Sequence, residues 1–134
     1  LVQGGMRINA DQARQYFWHP SQRVGRATVD MMTDDGFAYY AESGVCLAFN
    51  DVPWPGVIMC HVGAMPGAWG RAVEPAKRML AQAWSEYGPE RIVFWIPEQN
   101  RAAIAFAKRC GGEMDGRMNM GNPITMMGWT PWQF

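Results

Sequence analysis

Neither sign of charge is in excess in this chain, where 12 Lys and Arg offset 12 Asp and Glu. The balance removes the electrostatic footprint expected of a nucleic-acid or anionic-membrane binder. Cysteine is scarce. Cys46, Cys60 and Cys110 are odd in number and scattered, which argues against a disulfide framework. Two of them sit in apolar surroundings, as expected of buried, reduced thiols. No cysteine pair has zinc-knuckle spacing, and the two histidines lie far apart, so no metal site is expected. Nor does any apolar run approach the ~18 residues of a membrane helix. With no stretch that reads as a signal peptide, a soluble cytoplasmic protein is the expectation.

What is present suits a single α/β domain. A chain of 134 residues is large enough to bury a core without metal or disulfide staples. The domain is expected over residues 6–134, and residues 1–5, ahead of Met6, read as an added remnant without structural weight. Residues 6–9 read as a short first strand. Asp11 is the expected cap of a helix running to Trp18, with Ala13, Tyr16 and Phe17 on one side and Pro20 as its stop. Residues 21–35 fit either a second helix or a helix and a strand, because their apolar spacing does not decide. A turn is expected at residues 34–36. Residues 37–42 and 45–50 then form two strands around the two-residue link Ser43-Gly44. Pro53 and Pro55 break the chain, since proline donates no hydrogen bond to a ladder.

The stretch 56–112 carries most of the information. Residues 57–62 are a continuous apolar run of strand length, suited to a buried strand. A glycine-bearing loop leads into a helix whose Val73, Ala76, Met79, Leu80, Ala83, Trp84 and Tyr87 recur on one face, and Gly88-Pro89 ends it. Proline is comfortable only in a first helical turn, so Pro75 places the helix start near Val73 or Glu74. A second buried strand over residues 92–96 completes a right-handed βαβ unit. Its loop, at the carboxyl end of a strand and the amino end of a helix, is where such units bind anions. Asn100 reads as the cap of a final helix with Ala103, Phe106, Ala107 and Cys110 on one face, stopped by Gly111-Gly112. Residues 113–119 and 124–129 make a terminal hairpin.

This order of elements resembles the GCN5-related N-acetyltransferase (GNAT) superfamily, most strongly over residues 56–119. Asn100, Ala103, Phe106 and Gly111 are similar to the segment opening that family's last helix, and Gly70-Arg71-Ala72 to the end of its acyl-CoA pyrophosphate loop. The resemblance implies a mixed sheet of about six or seven strands, flanked by helices around a βαβ acyl-CoA core. It implies that Val62, Gly63 and Ala64 meet the pantetheine arm of acetyl-CoA, that Gly67, Ala68, Trp69, Gly70, Arg71 and Ala72 cradle its pyrophosphate, and that Asn100 and Phe106 line the far side. The cradle suits an anion because backbone N–H groups of a tight loop bind phosphate.

The chain departs from the family pattern at three places. The first loop position, Arg or Gln in the family, is Gly67, with Arg71 as the neighbouring substitute. Glu74 stands close to where a phosphate would lie. The tyrosine that commonly protonates the departing thiolate is replaced by Ala107. His61 is the best candidate for the base that acyl transfer to an amine needs, and Glu42 a weaker one. The expected function is acetyl transfer from acetyl-CoA to an unknown amine. The alternative is a non-catalytic GNAT-like bacteriophage protein with a structural or virion-assembly role, in the host cytoplasm or the virion. Trp54, Trp69 and the terminal-hairpin methionines Met114, Met118, Met120, Met126 and Met127 are expected chiefly in packing. A homodimer or virion-partner interface is their other use.

Overall fold

The computed structural model describes residues 5–17 and 37–131. The undecided stretch 21–35, the turn at 34–36 and the expected helix stop at Pro20 lie outside the described residues. In chain order the elements are β1 (Met6–Ile8), α1 (Ala10–Phe17), β2 (Ala38–Glu42), β3 (Val45–Asp51), β4 (Val57–Ala64), a 3-10 turn (Trp69–Arg71), α2 (Val73–Tyr87), β5 (Arg91–Pro97), α3 (Arg101–Arg109), β6 (Glu113–Asn119) and β7 (Pro123–Trp129). The seven strands form one mixed sheet in the order β1-β2-β3-β4-β5-β7-β6. All neighbours are antiparallel except β4 and β5, the parallel pair joined through α2.

Local chemistry explains the element boundaries. Asp11 does not cap α1; Asn9 does. The Asn9 side chain accepts from the Gln12 N–H at 2.8 Å, and Gln12 Oε1 accepts from the Asn9 N–H at 3.0 Å. This reciprocal pair satisfies two helix-end donors at once. Ser43 and Gly44 both adopt positive φ, 52° and 82°, which matches the twist of the β2–β3 hairpin. Helix α2 begins at Val73, so Pro75 falls in its first turn, and Gly88 ends it in the left-handed conformation. β4 runs two residues past its expected end: Gly63 and Ala64 are strand, paired with Cys46 and Val45.

Alternation along the strands sorts the side chains onto two faces. Tyr40, Val45, Leu47, Phe49, Cys60, Ala64, Ile92, Phe94 and Ile96 join Met79, Leu80 and Ala83 of α2 and Ala107 of α3 in the larger core cluster. On the other face Tyr39, Cys46 and Ala48 pack with Ala10, Ala13 and Phe17 of α1. The three cysteines are free and buried, and burial pushes the Cys46 and Cys110 thiols up to about 12. At neutral pH they are protonated packing residues. The terminal hairpin departs from the expectation of buried methionine: Met127 is fully buried, but Met114 and Met120 lie exposed. Trp54 is exposed as well.

Gly5 belongs to the packed structure. It is buried, its carbonyl accepts from Gln82 Nε2 at 3.0 Å, and a Cβ there would meet Met79 Cγ at 2.6 Å. Among the described residues no helix is long and apolar enough to cross a membrane, and no cluster of three metal-ligating side chains occurs.

Candidate active site

β4 and β5 are paired only at Val57–Arg91, Ile58–Ile92 and Met59–Val93. Among the described residues, β4 continues beyond Met59 to Ala64 laddered to β3, and β5 continues beyond Val93 to Pro97 laddered to β7. The two strands therefore diverge into a wedge, each leg braced by its outer neighbour. Between the two legs the β4–β5 ladder is absent, which is where a ligand with amides of its own could pair with a strand edge. His61, Val62, Gly63 and Ala64 all lie on the β4 leg. Alternation turns Val62 and Ala64 toward α2 and His61 and Gly63 toward α1.

The loop after β4 has an inner and an outer side. Ala68 and Ala72 are buried in the larger core and anchor it. Gly67, Trp69, Gly70 and Arg71 are exposed. Gly67 adopts φ 83°, a conformation that favours glycine, and a Cβ at Gly67 or Gly70 would meet no atom within 4 Å. Among the described residues, no group accepts a hydrogen bond from the N–H of Gly67, Trp69 or Gly70. In the first turn of α2 the N–H groups of Val73 and Glu74 point to the same end, while Pro75 has none and those of Ala72 and Ala76 bond the Trp69 and Ala72 carbonyls. Arg71 Nη1 donates to the Gly67 carbonyl at 3.0 Å, folding the guanidinium across the loop it was expected to serve. Glu74 is exposed and faces Lys77 at 3.9 Å.

The opposite wall starts where β5 ends. Asn100 caps α3, its Oδ1 accepting from the Ala103 N–H at 3.2 Å. Phe106 meets Trp69 edge to face with ring centroids 5.7 Å apart, so the β4–α2 loop touches α3. Ala107 is buried in the core and offers no proton.

The two candidate bases are not brought together. Glu42 lies on the α2 face, where Arg78 Nε donates to its Oε2 at 2.7 Å. Its other oxygen is buried without a partner among the described residues. His61 lies on the α1 face, half-buried, with its Nε2 2.9 Å from Asn50 Oδ1 and its ring 5.7 Å from that of Phe37. Burial pushes the imidazole down to about 4, so it is neutral at physiological pH. The end of α1 closes over the next inward residue: a Cβ at Gly63 would meet the Tyr16 carbonyl oxygen at 2.6 Å and the Phe17 ring at 2.8 Å. Burial also raises the Tyr16 phenol. Sequence reasoning missed Asn50 and Phe37 as neighbours of His61. Only the β3–β4 register, pairing Asn50 with Met59 and Ala48 with His61, places Asn50 diagonally beside the imidazole.

A separate hollow of about 580 Å³ lies at the other end of β4, between Trp54 and Tyr87. It contains none of the expected site residues.

No protein-family model and no curated protein matches the chain. Solved structures do match. A spermidine N-acetyltransferase SpeG chimera from Vibrio cholerae and hSSAT superposes with TM-score 0.71 at 9% identity, covering 94% of this chain and 95% of that one. An IAA acetyltransferase from Bacillus cereus gives 0.68 at 8% identity, covering 92% and 95%. An acetyltransferase of the GNAT family from Bacillus anthracis gives 0.64 at 12% identity, covering 96% of both chains. The chain has the GNAT fold. At these identities the likeness is one of architecture.

Proposed function

We propose that this protein binds acetyl-CoA in the wedge between β4 and β5 and transfers its acetyl group to an amine. The observation that carries the reading is the end of β4–β5 pairing at Met59 and Val93, next to a loop with open glycines and amides that have no partner among the described residues. Similarity in fold to acetyltransferases supports it.

The residues present fit the group. Gly67, Trp69 and Gly70 offer backbone donors for a pyrophosphate, backed by the amino end of α2. Arg71 reaches the same loop, and release from the Gly67 carbonyl would free its guanidinium for phosphate. Val62, Gly63 and Ala64 present the β4 edge to the pantetheine amides, with Phe106 and Asn100 on the α3 side. When bound, acetyl-CoA supplies the activated carbonyl.

His61 is the candidate base. Its imidazole is neutral at physiological pH, but with a pKa pushed down to about 4 it is too weak a base to strip an ammonium ion. The acceptor therefore arrives as the neutral amine, and His61 would take the proton that the amine nitrogen sheds after attack. With Ala107 in place of an acid, the thiolate takes its proton from solvent or from the acceptor nitrogen.

Isothermal titration with acetyl-CoA, followed by mass-spectrometric detection of coenzyme A release in amine mixtures, tests the reading. Heat of binding and amine-dependent release are the expected results. Binding without release under any amine leaves an acyl-CoA-binding role for the same wedge. No binding removes the reading.

A further inference from the structure

Asn50 and Asp51 fix a direction of hydrogen bonding that ends on His61. Asn50 Nδ2 donates to the Asp51 carbonyl at 3.0 Å. A carbonyl only accepts, so that contact assigns the NH₂ end of the Asn50 amide and turns its oxygen toward His61. The oxygen in turn only accepts. His61 Nε2, at 2.9 Å, must therefore carry the proton. A neutral imidazole has a single N–H, so Nδ1 is left with the lone pair.

We infer that Asn50 is a positioning residue that holds His61 as the Nε2–H tautomer, leaving Nδ1 as the proton-accepting nitrogen of the site. Among the described residues Nδ1 has no hydrogen-bond partner. Asn50 reaches the ring because it lies two residues along β3 from Ala48, the register partner of His61, on the same face of the sheet. The Phe37 ring, 5.7 Å away, packs against the imidazole without offering a competing acceptor of comparable strength. The fold thus settles which nitrogen is basic before any ligand arrives. The catalytic consequence rests on the reading of His61 as the base, whereas the tautomer is a property of the resting protein and is measurable without substrate.

The experiment is long-range ¹⁵N–¹H correlation of the ¹⁵N-histidine-labelled full chain at neutral pH. The two histidines are separated by comparison with His61→Gln, which retains His19 alone. In the unmodified protein, the His61 nitrogen that correlates with both ring carbon-bound protons, Nε2, is expected in the protonated range, with Nδ1 in the unprotonated range. In Asn50→Leu the two resonances converge as the preference is lost, and in Asn50→Asp, which restores an acceptor at that point, they separate again. A proton on Nδ1 in the unmodified protein overturns the inference, and that result needs only His61→Gln, used for assignment, and neither Asn50 variant to fold. An Asn50→Leu spectrum identical to the unmodified one overturns it equally. A protein that passes this test yet binds no acetyl-CoA leaves the inference standing and removes the proposed function instead.

Discussion

Met59 and Val93 are the last residues at which the two parallel strands of the sheet hold each other. Everything proposed for this protein lies beyond that pair, on the legs running to Ala64 and Pro97. The legs stay ordered because each is fully laddered on its outer side, β4 to β3 and β5 to β7. Legs braced from outside in this way would need little reorganisation to receive a ligand between them.

Two glycines, Gly63 in β4 and Gly70 in the loop after it, separate folding from binding. Replacing Gly63 by Ala drives a Cβ into the Tyr16 carbonyl oxygen and the Phe17 ring, and backbone cannot yield as a side chain does. Urea unfolding is expected to show a loss of about 1–3 kcal/mol. Gly70→Asp has open space and an ordinary φ, so its stability is expected to stay within about 0.5 kcal/mol. Its carboxylate stands where the pyrophosphate is proposed, and calorimetry is expected to show coenzyme A affinity falling by about tenfold or more.

His61 makes stability depend on pH in a defined window. Burial lowers its pKa from 6.5 in the unfolded chain to about 4 in the folded one. The unfolded state therefore binds the proton first as pH falls, and stability is lost between about 6.5 and 4. Above that window both states are neutral and the group has no effect. The contribution is up to about 3 kcal/mol at the acid end. Unfolding free energies measured at pH 7 and pH 4.5 are expected to differ less in His61→Gln than in the unmodified protein.

Trp69 and Phe106 tie the loop to α3 through an edge-to-face contact. A double-mutant cycle of Trp69→Ala and Phe106→Ala is expected to return a coupling of about 0.5–1.5 kcal/mol in unfolding free energy. Coupling near zero would mean that the rings pass each other without a mutual attraction.

Much of this architecture could be read from residue order alone. The apolar run into β4, the single-faced helix α2 and the cap at Asn100 are local patterns, and each stands in the structure at or near its expected bounds. The cap of α1 was misassigned because Asn9 and Asp11 are both good capping residues, and the reciprocal bond with Gln12 decides for Asn9. Exposure of Met114 escaped the sequence because β6 is the sheet edge, a fact of topology and not of composition, and Met120 is exposed in the turn that follows β6. The surroundings of His61 were the least legible. Asn50 is remote in sequence and meets the imidazole only through the β3–β4 register, while Glu42 is drawn to the opposite face by Arg78.

The central claim is that the gap beyond Met59 and Val93 receives coenzyme A. Mapping backbone amide shifts of the ¹⁵N-labelled protein during titration with coenzyme A tests it most directly. The account predicts saturable shifts concentrated in residues 60–72 and 94–106, with the hollow between Trp54 and Tyr87 unchanged. Shifts confined to that hollow, or none at millimolar coenzyme A, would contradict it.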